Sequence, residues 1–241
     1  MNIREKIDKL LTEKYYKGLE GVPDYWRVSS IGMAYDAYCR RLKLETDESD
    51  TWDIAREQTV MLLGTNIHVS IQNLIKEIPD VEVIGMEEEI KNDELNLVGH
   101  YDVYLKFKEN NQKIFYDIKT INEKAYTRMA ADGERKTGMR VIQPYEHHVK
   151  QVLVYDWMLG QEADEIRILY MDRNNGRREE VPIERNEVIL QEALDEFRML
   201  NECWENKTPP VEPDIDSWAY KYSKYKNQMN ITKKYKEQYG R

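Results

Sequence analysis

Apolar residues recur at helical spacing three times in the first third of the chain. Ile3, Ile7, Leu10 and Leu11 mark a short leading helix over residues 2–17, ended by Gly18 and by Gly21-Val22-Pro23. Ser29 and Ser30 precede a second helical stretch, roughly 30–43, where either hydroxyl is placed to cap exposed amides. A longer pattern runs from about Trp52 to Ile78, with Leu63, Ile67, Ile71, Leu74, Ile75 and Ile78 three or four residues apart, and Pro79 ends it. The period then falls to two. Val81 to Ile84, Glu87 to Ile90, Leu97 to Phe107 and Lys113 to Thr120 read as successive strands, separated by Asn92-Asp93 and by Glu109-Asn110-Asn111. Residues 122–143 are polar, and Gly133 and Gly138 suggest a mobile loop there. A helix at about 145–159 follows, then a strand from Ile166 to Met171. Asn174-Asn175-Gly176 makes a hairpin turn to a returning strand at Arg177 to Ile183, and a last helix spans about 186–206.

Helices, a meander, one crossover helix and a further hairpin predict an α/β or α+β domain with a mixed sheet. The expected organisation is one domain over 1–207 and an appended tail over 208–241. With 241 residues and 41% hydrophobic content, the chain can fill a core. Its net charge of −9 excludes a simple basic nucleic-acid coat. The average hides an asymmetry. From Ala219 to Arg241 seven Lys or Arg face only Glu237, a net of +6, which leaves −15 on the rest. Cys39 and Cys203 are too few for a disulfide framework or a four-cysteine metal site, which points to a reducing compartment. No stretch approaches the roughly 20 apolar residues of a membrane span, and Met1-Asn2-Ile3-Arg4-Glu5-Lys6 has no signal-peptide core. The expectation is a soluble cytoplasmic protein.

Candidate chemistry concentrates in Gly99-His100-Tyr101-Asp102 and Asp117-Ile118-Lys119-Thr120. If 97–107 and 113–120 pair as a hairpin, Asp102 and Asp117 converge from neighbouring strands. Asp117 and Lys119, two apart, share one face, and Ile118 turns to the core. Neighbouring carboxylates repel unless a proton or cation lies between them, and a divalent metal resolves this. Aspartate oxygens suit Mg²⁺ or Mn²⁺, and a lysine beside them can stabilise charge on a phosphate. These are the parts of metal-assisted phosphodiester hydrolysis.

With these residues in place, the sequence resembles the PD-(D/E)XK nuclease superfamily, in particular its RecB-like and Cas4-like exonuclease branch. Gly99 to Asp102 matches that branch's Gly-x-x-Asp element, and Asp117-Ile118-Lys119 its Asp/Glu-x-Lys element. Gln151-Val152-Leu153-Val154-Tyr155 matches its Gln-x-x-x-Tyr motif, and Gly64-Thr65-Asn66-Ile67-His68 fits its upstream histidine helix. Ser29-Ser30-Ile31-Gly32, followed by Tyr38-Cys39-Arg40-Arg41-Leu42, looks like its N-terminal signature. The resemblance implies a restriction-endonuclease-like core with a mixed sheet flanked by helices. It implies that His68, Asp102, Asp117 and the Ile118 carbonyl hold metal, that Lys119 is the catalytic lysine, and that Gln151 and Tyr155 position the DNA strand. Many Cas4-like members carry a [4Fe–4S] cluster. Here Cys39 has no cysteine companions after Pro209-Pro210, so no cluster is expected.

The expected activity is a metal-dependent DNA exonuclease in recombination, repair or DNA-end processing. A structure- or sequence-specific endonuclease and a non-catalytic DNA-binding relative remain as alternatives. Beside DNA, a second copy of the chain and a recombination protein are the open partners, and a membrane is not. Other residues have bland readings to set against functional ones. His100 divides between metal-site support and simple exposure, while His147 and His148 favour packing over substrate contact. Glu87, Glu88 and Glu89 read first as a charged edge strand, with a further carboxylate for the site as the alternative. Arg128, Arg135, Lys136 and Arg140 either grip phosphates or line a solvated loop. The lysines and tyrosines of the tail suit single-strand binding, or docking on the acidic body.

Overall fold

The structure is a computed structural model that describes residues 2–20, 24–44, 46–47, 51–132, 135–136, 139–140 and 142–230. Gly133, Gly138 and the tail positions Tyr235 and Tyr239 lie outside the described residues. In chain order the elements are α1 (Ile3–Glu20), β1 (Trp26–Arg27), α2 (Ala34–Arg41), α3 (Thr51–Lys76), β2 (Val81–Asn92), β3 (Leu97–Phe107) and β4 (Lys113–Ile121). Then come α4 (Glu123–Asp132), β5 (Arg135–Lys136), β6 (Met139–Arg140), α5 (Glu146–Met158), β7 (Glu165–Asp172), β8 (Arg178–Ile183), α6 (Glu187–Glu205) and α7 (Trp218–Tyr222). The architecture is a mixed α/β fold in which a six-stranded sheet is flanked by helices. Its strand order is β1-β3-β4-β7-β8, with β2 also paired to β3. The chain divides into two compact units, one of residues 62–92 and 98–193, the other of 1–61, 93–97 and 194–241.

The first unit carries most of the sheet. β3 and β4 are antiparallel, with Val103 opposite Tyr116, while β4 and β7 are parallel, with Lys119 beside Tyr170. The crossover between these parallel strands needs an intervening helix, which α5 supplies. Alternation along the strands splits the side chains between two faces. On one face Ile71 of α3 packs on Val103, Leu105, Ile114, Tyr116 and Ile118, with Ile67 and Ile75 beside it. On the other, Phe115 meets Tyr155 of α5 edge-on at 6.1–6.4 Å from its aromatic neighbours Tyr101 and Tyr155. Asp117 and Lys119 alternate with Ile118 and so share the face of Phe115.

Three local expectations change. Residues 81–84 and 87–90 form one strand, not two, and it runs on through Glu87, which adopts a left-handed φ of 54°. Around that kink the core-facing phase shifts: Val81 and Val83 pack on the Ile71 cluster, and then Met86 does. The polar stretch after β4 contains a helix, α4. Asn122 caps it by accepting from the Ala125 N–H at 2.8 Å, and Tyr126 and Met129, three apart, are buried. Neither serine caps α2. Its N-cap is Met33, with no side-chain cap, and Ser30 Oγ instead donates to the Arg27 carbonyl.

In the other unit the Arg41 guanidinium lies between the rings of Trp26 and Trp204, 4.3 and 4.4 Å from their centroids. Asn201 accepts from Trp26 Nε1 at 2.7 Å and donates to the Leu95 carbonyl at 3.0 Å. The described part of the tail is fastened here. Asp36 accepts from Ser223 Oγ and from the Lys224 N–H, Asp47 accepts from the N–H groups of Lys226 and Asn227, and Tyr225 and Met229 pack on Tyr35 and Cys39. Burial pushes the Cys39 thiol up to about 12, so this cysteine acts as a small apolar side chain, and Cys39 and Cys203 are both free thiols. Tyr225 is therefore core, while Trp218 and Tyr222 are exposed. Among the described residues no helix is long and apolar enough to cross a membrane.

Candidate active site

The site forms within the sheet-bearing unit, where α3 passes close to β3 and β4. Gly64 allows that approach: a Cβ there would meet Thr120 Oγ1 at 3.2 Å. One turn later His68 directs Nδ1 to within 3.6 Å of Asp102 Oδ1. The other oxygen of Asp102 accepts from the Ile118 N–H at 2.5 Å, which anchors the carboxylate across the two strands. Ile118 itself puts its side chain in the core, fully buried. Gln72, one turn beyond His68 and 4% exposed, donates to Glu87 Oε1 at 2.6 Å. The left-handed kink at Glu87 thus belongs to a site in which donor atoms of His68, Glu87 and Asp102 all lie within 4.8 Å of one another.

Asp117 and Lys119 form the second half. Lys119 Nζ is 2.8 Å from Asp117 Oδ2 and 3.1 Å from Oδ1, and only the latter contact has hydrogen-bond geometry. Asp117 is 2% exposed. Its burial raises the carboxyl above the ordinary range despite the Lys119 ammonium, and the Asp102 charge adds to the rise. His68 shows the opposite balance. Burial disfavours its protonation, but the Asp102 carboxylate outweighs burial and raises the imidazole.

Tyr155, 3% exposed, closes the floor. A Cβ at Gly99 would fall 2.5 Å from both Tyr155 Cε1 and Oη, so the Gly-x-x-Asp element needs glycine to admit this ring. The phenol is hydrogen-bonded to the Gln151 side chain and to the His100 backbone, and burial followed by the Asp117 charge raises its pKa. The structure therefore brings His68, Asp102, Asp117, Ile118, Lys119, Gln151 and Tyr155 into one neighbourhood. His100 is exposed, 3.9 Å from Glu89. His148 Nδ1 lies 2.9 Å from the Tyr170 hydroxyl, and burial, then Lys119, lowers the imidazole to about 2.

For Glu87 the structure favours the less expected of its two sequence readings, a further carboxylate at the site rather than part of a charged edge strand. A hint was available in Gln72, a polar residue that follows His68 at the helical interval of four. The donor set suits a hard divalent cation. Around one Mg²⁺ at about 2.1 Å no two ligands are more than about 4.2 Å apart, so the cluster needs only slight contraction to enclose it.

No protein-family model and no curated protein sequence matches this chain. Solved structures do match. The crystal structure of a protein designated SSO0001 is 17% identical, with a TM-score of 0.53 over 95% of this chain and 97% of that one. An alkaline exonuclease from Laribacter hongkongensis is 14% identical, with a TM-score of 0.52 over 76% of this chain and 89% of its own; its complex with dAMP matches equally. The mixed sheet with its flanking helices is thus a fold that this chain has in common with a structurally characterised exonuclease.

Proposed function

We propose that the chain is a metal-dependent deoxyribonuclease that hydrolyses phosphodiester bonds from DNA ends, in recombination, repair or end processing. The observation that carries this reading is the placement of a buried Asp117–Lys119 ion pair beside the His68, Glu87 and Asp102 donor cluster. His68, Asp102, Asp117 and the Ile118 carbonyl are the expected ligands of Mg²⁺ or Mn²⁺, and the geometry adds Glu87. Such an ion, when bound, lowers the pKa of a coordinated water and neutralises charge on the phosphate. Ile118 fixes one oxygen of Asp102, so the other stays directed at the cluster. Lys119, oriented by Asp117, presents an ammonium to the attacking water or to a non-bridging phosphate oxygen. Gln151 and Tyr155 brace the floor. In this reading residues 1–207 are the nuclease domain, and the basic, tyrosine-rich tail of 208–241 adds contacts to a single strand, for which Trp218 and Tyr222 are exposed. The exonuclease that shares the fold has been crystallised with dAMP, in keeping with DNA as the partner.

The test compares end-labelled linear DNA with closed circular DNA in Mn²⁺ or Mg²⁺. The expected result is progressive loss of the linear form only, stopped by EDTA. Cutting of the circle would replace the exonuclease reading by an endonuclease one, and intact DNA of both forms would leave a binding protein.

A further inference from the structure

The first turn of α5 carries a group of rings that the cleavage chemistry does not use. Tyr145 and His147 lie parallel, 11° between planes and 5.7 Å between centroids. His148 meets them edge-on, at 5.5 Å and 4.3 Å. His148 acts as a fixed post. It hydrogen-bonds Tyr170, which is fully buried and is the sheet neighbour of Lys119. The post therefore holds the Tyr145–His147 stack at the Lys119 end of the site. Helical spacing agrees, because His147, Gln151 and Tyr155 fall four apart and form one stripe of α5. Tyr145 and His147 are half-buried, so part of the stack stays open to solvent.

We propose that the Tyr145–His147 pair is a stacking platform that seats a nucleobase of the DNA strand being cut, beside Lys119. The inference rests on the nuclease reading and names how that site holds its substrate. A nucleobase fits better than a phosphate at this point. Burial and the Lys119 ammonium keep His147 below the usual imidazole range and so uncharged at neutral pH. The charge within the turn, Glu146, is neutralised by Lys150 at 2.7 Å, so the turn itself offers a phosphate no free cation while its ring faces suit a base. Stacking on aromatic rings is also indifferent to sequence, as digestion from an end requires.

Fluorescence anisotropy of a 5′-labelled single-stranded oligonucleotide, in Ca²⁺ to hold the complex, tests the platform. Tyr145→Ala and His147→Ala are each expected to weaken binding about tenfold, while Tyr145→Phe and His147→Phe keep near wild-type affinity. The tenfold loss should vanish on an oligonucleotide carrying abasic sites in place of its terminal bases. Wild-type affinity in both alanine variants, or equal losses on intact and abasic strands, would overturn the proposal. Should the alanine variants prove unfolded by circular dichroism, Tyr145→Leu against Tyr145→Phe gives the same comparison. The two readings fail separately. A protein that binds through the platform but leaves DNA intact in Mn²⁺ refutes the nuclease reading, and one that cleaves DNA without platform-dependent binding refutes the platform.

Discussion

Replacing Lys119 by alanine is expected to lower metal-dependent DNA cleavage by about 10²- to 10⁴-fold, the usual cost of removing a positioned proton donor or charge stabiliser. Two features set Lys119 apart from a surface lysine. Its side chain is 18% exposed, and that of its partner Asp117 is 3% exposed, so the ammonium is held in place rather than screened by water. It also stands on the strand whose Ile118 N–H anchors Asp102, so the charge and the donor cluster are registered to the same piece of backbone. The variant should still bind Mn²⁺, because His68, Glu87 and Asp102 do not depend on Lys119 for their placement. Initial rates on end-labelled DNA, with a melting curve for each protein, make the check. Wild-type rates in a folded Lys119→Ala protein would remove the lysine from the reaction.

The largest expected effect on stability lies outside the donor cluster. Arg185→Ala should cost about 2–3 kcal/mol, because it strips the charged hydrogen-bond partner from a carboxylate that is almost fully buried, while the exposed position of Arg185 lets water replace part of it. Arg185 donates from Nε to Asp156 Oδ2 at 2.8 Å and from a terminal nitrogen to Oδ1 at 2.9 Å, and Asp156 is 1% exposed. The same nitrogen reaches the Ala163 carbonyl at 2.5 Å, so one guanidinium ties α5 to the chain that enters β7. The forked geometry makes lysine a poor substitute. Urea unfolding followed by circular dichroism measures the loss, and a Lys substitution should recover only part of it. A change below about 1 kcal/mol in the alanine variant would show that the buried Asp156 does not need its partner.

Where sequence patterns were regular, the fold could be read in advance. Strand β7 alternates in burial, the central strand β4 reads as a near-continuous apolar run because helices cover both its faces, and α6 repeats at three and four because one side of it is buried. The strand order, including the parallel β4–β7 pair, is set by tertiary packing and has no local signature. The helix α4 was hidden by its polar surface. Its buried positions among the described residues, Tyr126 and Met129, were too few to show a period, though Asn122 is an ordinary cap. The donor cluster was legible in part. Asp102, Asp117 and Lys119 stand out because their spacing fixes which face they share, and His68 because it follows Gly64 by one turn. Glu87 could be named as one of three candidate carboxylates but not singled out, since its placement depends on a left-handed residue inside a strand, a conformation that Glu does not favour and that only the surrounding structure enforces. The tail divides in the same way. Its charge was visible, but that Tyr225 would serve as core against Cys39 while Tyr222 stays exposed depends on contacts with distant segments.

Titration calorimetry of Mn²⁺ into the wild-type protein and into Glu87→Gln and Asp102→Asn bears most directly on the donor cluster. A single cation site in the wild type, weakened at least tenfold by either substitution in a protein that remains folded, is the result this structure predicts. No Mn²⁺ binding to the wild type, or undiminished binding in both variants, would contradict it.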